Sequence, residues 1–536
     1  MGLDNLIKTM NSDQVRVFNE IDRNKRLQIC MPTGWGKGYI MMLSLLHKFL
    51  NKDEDIAAIA SHRLTLNHQH IGDMISTYAD DIDKLGFIFV GSDGFDFSSI
   101  LSNQDDNYIS NPETKKKIFQ ILYKNKISFK DIAVNTLSNK DVLNAVARYR
   151  SMGKKIIIVS TYHSLDKLSD INIDSLYCDE AHTLASEDSR SNFKVNYDLI
   201  TKKNCYFFTA TPKDCADDLM GQFLMDNEHI FGNRIEMSLR DAHKGGYIAK
   251  LMLHTLEPEN YNHEDYDNIT NKILLIESAY KEHTKILKEN SSFPDDIEPK
   301  LLIKCDSVDT MWMLNKRLVN RNLGTGVRIF SGASRKFKEK ATYEIDGEKV
   351  DKGTHLRVMK DLKDTERAIV LHVDTLSEGV NVKSFTGVLF LSDKVPTTTK
   401  ILQNSGRAAR LMKQDRENLR KGKITTDSYE GWLKPCAYVI LPCYNPESFY
   451  SQRTVANIIQ KFQTGDSAEY YISIGSDTCK VHNNQIEDMK GTFISDKDFK
   501  TKVDKITHSI ERINISEDDL RLNSLSKIEL LKEKFN

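Results

Sequence analysis

The sequence predicts an α/β fold: two tandem parallel-sheet domains, an insertion in the first, and a small C-terminal accessory module. Three observations carry that prediction. Apolar, β-rich runs alternate with amphipathic stretches over most of the chain, the rhythm of βα units on a parallel sheet. The apolar run at Leu27, Ile29 and Cys30 leads into MPTGWGKGY (Met31–Tyr39), a strand followed by a glycine-rich turn and a helix start. Further on, another apolar run ends in CDEAH (Cys178–His182), an acidic pair at a strand end.

Taken in order, the first half predicts strands at Leu27–Met31, Ile56–Ala60, Phe87–Val90, Ile132–Val134, Ile156–Ser160, Leu176–Cys178 and Tyr206–Thr209. The helix after the glycine-rich turn carries Ile40, Met41, Met42, Leu43, Leu45, Leu46, Phe49 and Leu50 around most of its circumference, so it should be well buried. The Asn/Asp/Lys/Ser-rich segment 91–131 is too long for an ordinary βα loop and reads as an insertion, helical from Lys115 to Tyr123. The second half predicts strands at Leu301–Cys305, Val327–Phe330, Ala368–His372, Val388–Leu391 and Tyr438–Leu441, with a polar stretch, Glu257–Lys288, between the two sheets. From about Asn445 the βα rhythm fades, and the chain ends in the amphipathic run Leu525–Phe535. The expected division is 1–245, 246–444 and 445–536.

At 536 residues the chain is long enough for about three or four domains, each with its own core. A composition of 40% hydrophobic and 28% charged residues is that of a globular protein, without an apolar stretch of membrane-spanning length. The N-terminal MGLDNLIKTMNSDQ lacks the apolar run of a signal peptide, so a cytoplasmic protein is expected, in a host cell if the source is viral. Eight cysteines are scattered with no C-x-x-C, which reads as buried thiols in a reducing compartment, zinc on Cys436 and Cys443 being the alternative. His62, His68 and His70 have the spacing of a helix with mixed faces rather than of a zinc site. A net charge of −1 gives no global basic signature, so nucleic-acid contacts must come from local clusters and backbone amides.

The two phosphate-type elements define the chemistry. Pro32, Thr33, Gly34, Trp35, Gly36, Gly38 and Tyr39 form a turn at a helix N-terminus whose backbone N–H groups from Gly34 to Gly38 can hold phosphate oxygens, and Lys37 can reach the β/γ oxygens. Asp179 can hold Mg²⁺ and Glu180 can polarise an attacking water. The pair, in this order, points to hydrolysis of a nucleoside triphosphate.

Further motifs follow in a definite order: Gln14 in NSDQ, SHRLTLNHQ (Ser61–Gln69), VSTYHSL (Val159–Leu165), FFTATP (Phe207–Pro212), VDTLSEGVNV (Val373–Val382) and QNSGRAAR (Gln403–Arg410). Together with the loop and CDEAH they resemble the motif set of superfamily 2 helicases and translocases of the DEAH-lettered kind, over residues 10–445. MDNEHIFG (Met225–Gly232) and LRDAHKGGYIAKL (Leu239–Leu251) look like the helicase cores of restriction-type and phage enzymes. The resemblance implies two RecA-like domains with ATP and Mg²⁺ between them and a nucleic-acid strand across their tops. Under it Gln14 would pair with an adenine edge. His182 would link the acidic strand to Gln403 or Thr209. Arg407 and Arg410, three apart and so expected on one helical face, would act as arginine fingers. Glu378 and Gly379 would touch the ribose and close the cleft, while Arg63, Thr161 and Thr375 would contact strand phosphates without reading bases.

One position departs from that family. After the loop lysine the family places Thr or Ser, whose hydroxyl ligates Mg²⁺; here it is Gly38. Water would have to fill the coordination site, or Thr33 or Tyr39 would compensate. The leading expectation is an ATP-dependent helicase or translocase acting on DNA or RNA, with DNA favoured. The alternatives are the motor subunit of a restriction or defence complex, with a nuclease on another chain, and a nucleotide-gated clamp with weak hydrolysis. Partner nucleases or replication and recombination proteins, and no membrane, complete the expectation.

Overall fold

The computed structural model describes residues 7–62, 64–91, 112–128, 131–185, 200, 204–212, 225, 227–258, 268–289, 293–294, 297–321, 323–332, 343–373, 385–391, 398–442, 469–474, 477–482 and 485–488. The chain forms two compact units, Met1–Met237 and Ser238–Asn536. The division falls before the short helix Leu239–Lys244, ahead of the boundary expected at residue 245. No described helix is long and apolar enough to cross a membrane.

The first unit holds β1 (Arg26–Cys30), β2 (Ile56–Ser61), β3 (Leu85–Val90), β4 (Ala133–Thr136), β5 (Lys155–Thr161), β6 (Ser175–Asp179), β7 (Asn204–Thr209) and β8 (Asn233–Glu236). They form one sheet in the order β4-β3-β5-β2-β6-β7-β1-β8, and every pairing is parallel. β2 (IAAIAS) and β3 (LGFIFV) are buried along their whole length, because helices cover both faces of a parallel sheet. Their side chains join Val142, Val146, Leu165, Leu176 and Phe207 in one core.

Helix α1 (Ser12–Arg23) precedes β1, and α2 (Lys37–Asn51), α3 (Leu64–Thr77), α4 (Pro112–Lys124) and α5 (Asn139–Ser151) connect successive strands. α2 buries Ile40, Met41, Met42, Leu43, Leu45, Leu46 and Phe49 and leaves Leu50 exposed, matching the expected near-complete apolar girdle. α4 is the helix expected within the insertion; residues 92–111 of that segment lie outside the described residues. β8, with the sequence NRIE, was not foreseen: it lies at the sheet edge and has no apolar run to announce it.

The second unit holds β9 (Lys250–Glu257), β10 (Lys300–Cys305), β11 (Val327–Gly332), β12 (Tyr343–Ile345), β13 (Glu348–Val350), β14 (Arg367–His372), β15 (Gly387–Leu391), β16 (Cys436–Pro442), β17 (Glu469–Ile474), β18 (Asp477–His482) and β19 (Gln485–Asp488). Their order is β13-β12-β11-β14-β10-β15-β16-β9-β17-β18-β19, a parallel centre flanked by antiparallel strands at both edges. Its helices include α6 (Ile269–Glu289) and α7 (Thr398–Ala408).

Two expectations are corrected in this unit. The segment Glu257–Lys288 is not a polar stretch between sheets: α6 drives Ile273, Leu275, Ile276, Ala279, Ile286 and Leu287 into the core, because its apolar residues recur at helical spacing among the charges. Nor is the tail after Asn445 wholly separate, since β17 pairs in parallel with β9 and buries Tyr471 and Ile472. The run Leu525–Phe535 lies outside the described residues. Cys30, Cys178, Cys205, Cys305, Cys436 and Cys479 are buried free thiols, as expected, while Cys443 is outside the described residues.

Candidate nucleotide site

The strand order brings the chemistry-bearing motifs to one edge of the first sheet. β7 lies between β1 and β6, so the glycine-rich turn after β1 and the acidic pair after β6 flank the end of β7. The turn is anchored there by Met31 N–H donating to the Thr209 carbonyl (3.0 Å). Ligands of open α/β sheets bind outside the carboxyl ends of the strands, where this cluster sits.

The turn needs its glycines. Gly34 and Gly36 have φ of +95° and +108°, a region that side chains rarely adopt. Gly36 caps α2, and a Cβ on it would lie 2.9 Å from Gln14 Nε2. Lys37, the first residue of α2, donates from Nζ to the carbonyls of Met31 (2.8 Å) and Pro32 (3.3 Å), so its ammonium is folded over the turn. Trp35 is buried beneath it.

Gln14 belongs to a capping box at the start of α1. The Asn11 side chain accepts from Gln14 N–H, and Gln14 Oε1 accepts from Asn11 N–H. Its Nε2 donates to the Trp35 carbonyl at 3.0 Å. The amide therefore braces the turn, a contact that its adenine assignment did not anticipate.

The acidic end of β6 is held from several sides. Asp179 is buried, with Oδ1 accepting from Glu180 N–H (3.0 Å) and Oδ2 paired with His70 Nε2 (2.9 Å). Burial opposes the charge on each partner. For His70 the Asp179 hydrogen bond and the nearby carboxylates of Asp179, Asp73 and Glu180 prevail, holding the imidazole above its ordinary range. For Asp179 the His70 hydrogen bond and charge, with Lys37 and the Glu180 amide, prevail and hold the carboxyl below its ordinary range. The pair is thus a buried hydrogen bond in which each partner favours the charged form of the other. Tyr162 Oη donates to the Asp179 carbonyl at 2.6 Å and fixes the strand end from below.

Glu180 has φ +51° and ψ +46°, a left-handed conformation that costs a non-glycine residue about 1–3 kcal/mol. That turn aims the next residues back across β7. His182 Nδ1 lies 3.0 Å from Thr209 Oγ1, which also accepts from Thr211 N–H (3.1 Å), and 3.4 Å from Glu180 Oε2. Of the two partners expected for His182, Thr209 is the one it meets within this unit.

The cradle fits a triphosphate: two left-handed glycines open the turn, a helix N-terminus faces it, and Lys37 and Asp179 supply the opposite charges. Among the described residues no group of three His, Cys, Asp or Glu side chains is arranged to hold a metal ion. One carboxylate suits Mg²⁺, which is ordinarily bound by one or two carboxylates plus phosphates and waters. Tyr39, considered as a substitute for the hydroxyl absent at Gly38, directs its Oη to Thr9 Oγ1 (2.9 Å).

Other expected residues sit elsewhere. Thr161 ends β5 with its hydroxyl buried and donating to Ser164 Oγ (3.3 Å). Arg63, Thr375, Glu378 and Gly379 lie outside the described residues. In the second unit α7 carries Gln403 and Arg407, the latter buried. Arg407 and Arg410 do not share a helical face, contrary to their spacing. α7 ends at Ala408, Ala409 accepts from Ala249 N–H, and Arg410 forms a bridge with Ile248, which draws the backbone out of the helix. Burial, with the charge of Arg416, lowers the Arg410 guanidinium to about 10.

His70 and Tyr162 were missed as site residues. In the sequence His70 stands out only by its spacing from His62 and His68. No spacing rule points to His70, because its contact with Asp179 joins α3 to the distant end of β6.

Residues 3–214 match the family model for the type III restriction enzyme, res subunit. No curated protein is matched by the sequence. Among solved structures, the ATP-dependent type ISP restriction-modification enzyme LlaBIII bound to DNA aligns with a TM-score of 0.57 at 16% identity, over 94% of this chain and 32% of that one. The chain thus spans about a third of that enzyme's length. A fragment of an HsdR subunit of a type I restriction enzyme from Vibrio vulnificus YJ016, described as putative, aligns with a TM-score of 0.46 at 15% identity, over 90% of this chain and 68% of that one. Residues 3–214 thus match a restriction-enzyme res-subunit family model, and the chain shares with the DNA-bound enzyme above a fold of two α/β units built on largely parallel sheets.

Proposed function

We propose that this chain is an ATP-dependent nucleic-acid helicase or translocase with DNA as its track. The observation that carries the reading is the meeting, at one sheet edge, of the glycine cradle, Lys37 and the buried Asp179. Backbone amides from Gly34 to Gly38 would hold phosphate oxygens, and Lys37 would turn from the Met31 and Pro32 carbonyls to the β/γ oxygens. Mg²⁺ held at Asp179 would neutralise charge developing on the transferred phosphoryl group. Glu180 would orient the attacking water. Arg407 and Arg410 are proposed to supply positive charge as arginine fingers, Gln403 to be a partner of His182, and Glu378 and Gly379 to contact the ribose.

Arg63, Thr161 and Thr375 are proposed as phosphate contacts to the nucleic acid. Such contacts position a strand without reading bases, so the motor would tolerate any sequence. Binding and release of nucleotide would shift the chain between states that grip phosphates differently. The match of residues 3–214 to a restriction-enzyme subunit family favours, as a second reading, a motor that serves a restriction or defence complex with a separate nuclease.

The test is ATP hydrolysis with and without single- and double-stranded DNA and RNA. DNA-stimulated turnover that Lys37→Ala abolishes is expected. Equal turnover in the variant would reject the assigned site.

A further inference from the structure

In this chain the residue after the loop lysine brings no hydroxyl, and an element from elsewhere in the fold occupies the neighbouring space. α3 follows β2, and β2 lies directly beside β6, with Ala60 opposite Cys178. The middle of α3 is therefore carried over the end of β6. His70 there is 6% exposed, with Nε2 at 2.9 Å from Asp179 Oδ2. On its other side its Cε1 lies 3.9 Å from where a Cβ on Gly38 would be. One imidazole thus bridges the loop-to-helix junction and the acidic strand.

We infer that His70 is the positioning residue for the Mg²⁺-binding carboxylate, in place of the hydroxyl missing at residue 38, and that Gly38 is its steric partner. The inference deepens the nucleotide reading above and rests on it. Its physical basis is the clamp on Asp179. Oδ1 is held by the Glu180 amide and Oδ2 by His70, so neither oxygen is free to swing. Mg²⁺ demands near-ideal octahedral geometry and keeps several waters, so a fixed carboxylate is the contribution the protein can make when it offers one ligand fewer. Partners that orient a metal ligand are worth about 10- to 100-fold in metal affinity.

Gly38 then has a reason. A Cβ at residue 38 would make ordinary contact with the ring; on this inference the γ atoms of Thr, reaching further, would disturb the imidazole.

The experiment uses the full chain and a fluorescent non-hydrolysable ATP analogue, with binding measured first in EDTA and then across a Mg²⁺ titration. His70→Ala should leave metal-free binding unchanged and raise the Mg²⁺ concentration for half-maximal tightening by about 10- to 100-fold. Gly38→Thr should raise it as well. Gly38→Thr combined with His70→Ala should need less Mg²⁺ than either single variant, and His70→Asn, which keeps a donor and tests the idea if His70→Ala does not fold, should fall between wild type and His70→Ala. An unchanged Mg²⁺ dependence in both His70 variants, or a double variant that is simply additive, overturns the inference while leaving the nucleotide site standing. Absence of Lys37-dependent nucleotide binding in the wild type overturns both.

Discussion

His182 Nδ1 lies 3.0 Å from Thr209 Oγ1, joining the turn after β6 to the end of β7. Thr209 also accepts from Thr211 N–H, so the contact continues into the segment that follows β7. A change at Glu180, 3.4 Å from the same imidazole ring, has a two-bond route to that segment.

Thr209→Val keeps the shape of the side chain and removes the oxygen. On the proposed function, basal ATP hydrolysis should survive, while any stimulation by nucleic acid should fall by about 5- to 150-fold, the range of ordinary coupling energies. Equal stimulation in wild type and variant would show that the contact is structural only.

Gly36→Ala meets two obstacles: a φ of +108° and Gln14 Nε2 at 2.9 Å from the new Cβ. Nucleotide affinity should drop, with a conformational cost of about 1–3 kcal/mol. Combining it with Gln14→Ala removes the contact but not the strain, so binding should recover in part. Full recovery, or none, measured by titration calorimetry would contradict this division of the cost.

Truncation before Glu469 should destabilise the second unit rather than only alter substrate preference. It would strip β17 from β9, exposing a paired edge and removing the buried Tyr471 and Ile472, each worth about 1.5–3 kcal/mol of burial. Ser473, which meets His254 at 2.7 Å, would go with them. A thermal midpoint equal to that of the full chain would refute the prediction.

Acid should weaken the second unit early. Burial lowers His254 to about 3 and His283 to about 3, the latter also by the neighbouring His254, and burial lowers His355 to about 4. In the unfolded chain these groups titrate near about 6.5. Between those values the unfolded state binds more protons, so stability falls as pH drops from about 6.5 toward 3. His283→Gln, which retains a partner for Thr386 Oγ1, should move the midpoint of acid unfolding to lower pH. Identical acid profiles by circular dichroism would count against this origin.

Much of the architecture was legible because central parallel strands are apolar on both faces. Runs such as Ile56–Ser61 and Lys155–Thr161 announce themselves in any sequence that buries them. The glycine-rich turn and CDEAH were legible for a related reason: left-handed backbone and paired carboxylates each restrict which residues can occupy a position. Edge strands carry no such restriction. Asn233–Glu236 and Gln485–Asp488 are polar and short, and only their neighbours make them strands.

By itself, then, the sequence determined the βα rhythm, the glycine-rich turn, the acidic pair and their order along the chain, because local backbone geometry and period-two or helical burial act through near neighbours. Tertiary structure alone decided that α6 belongs in a core, that β17 extends the second sheet, that Arg410 leaves the helix of Arg407, and that His70 stands between Gly38 and Asp179. Those are contacts across a sheet or between distant segments. No spacing rule encodes them, since the chain must fold before the partners meet.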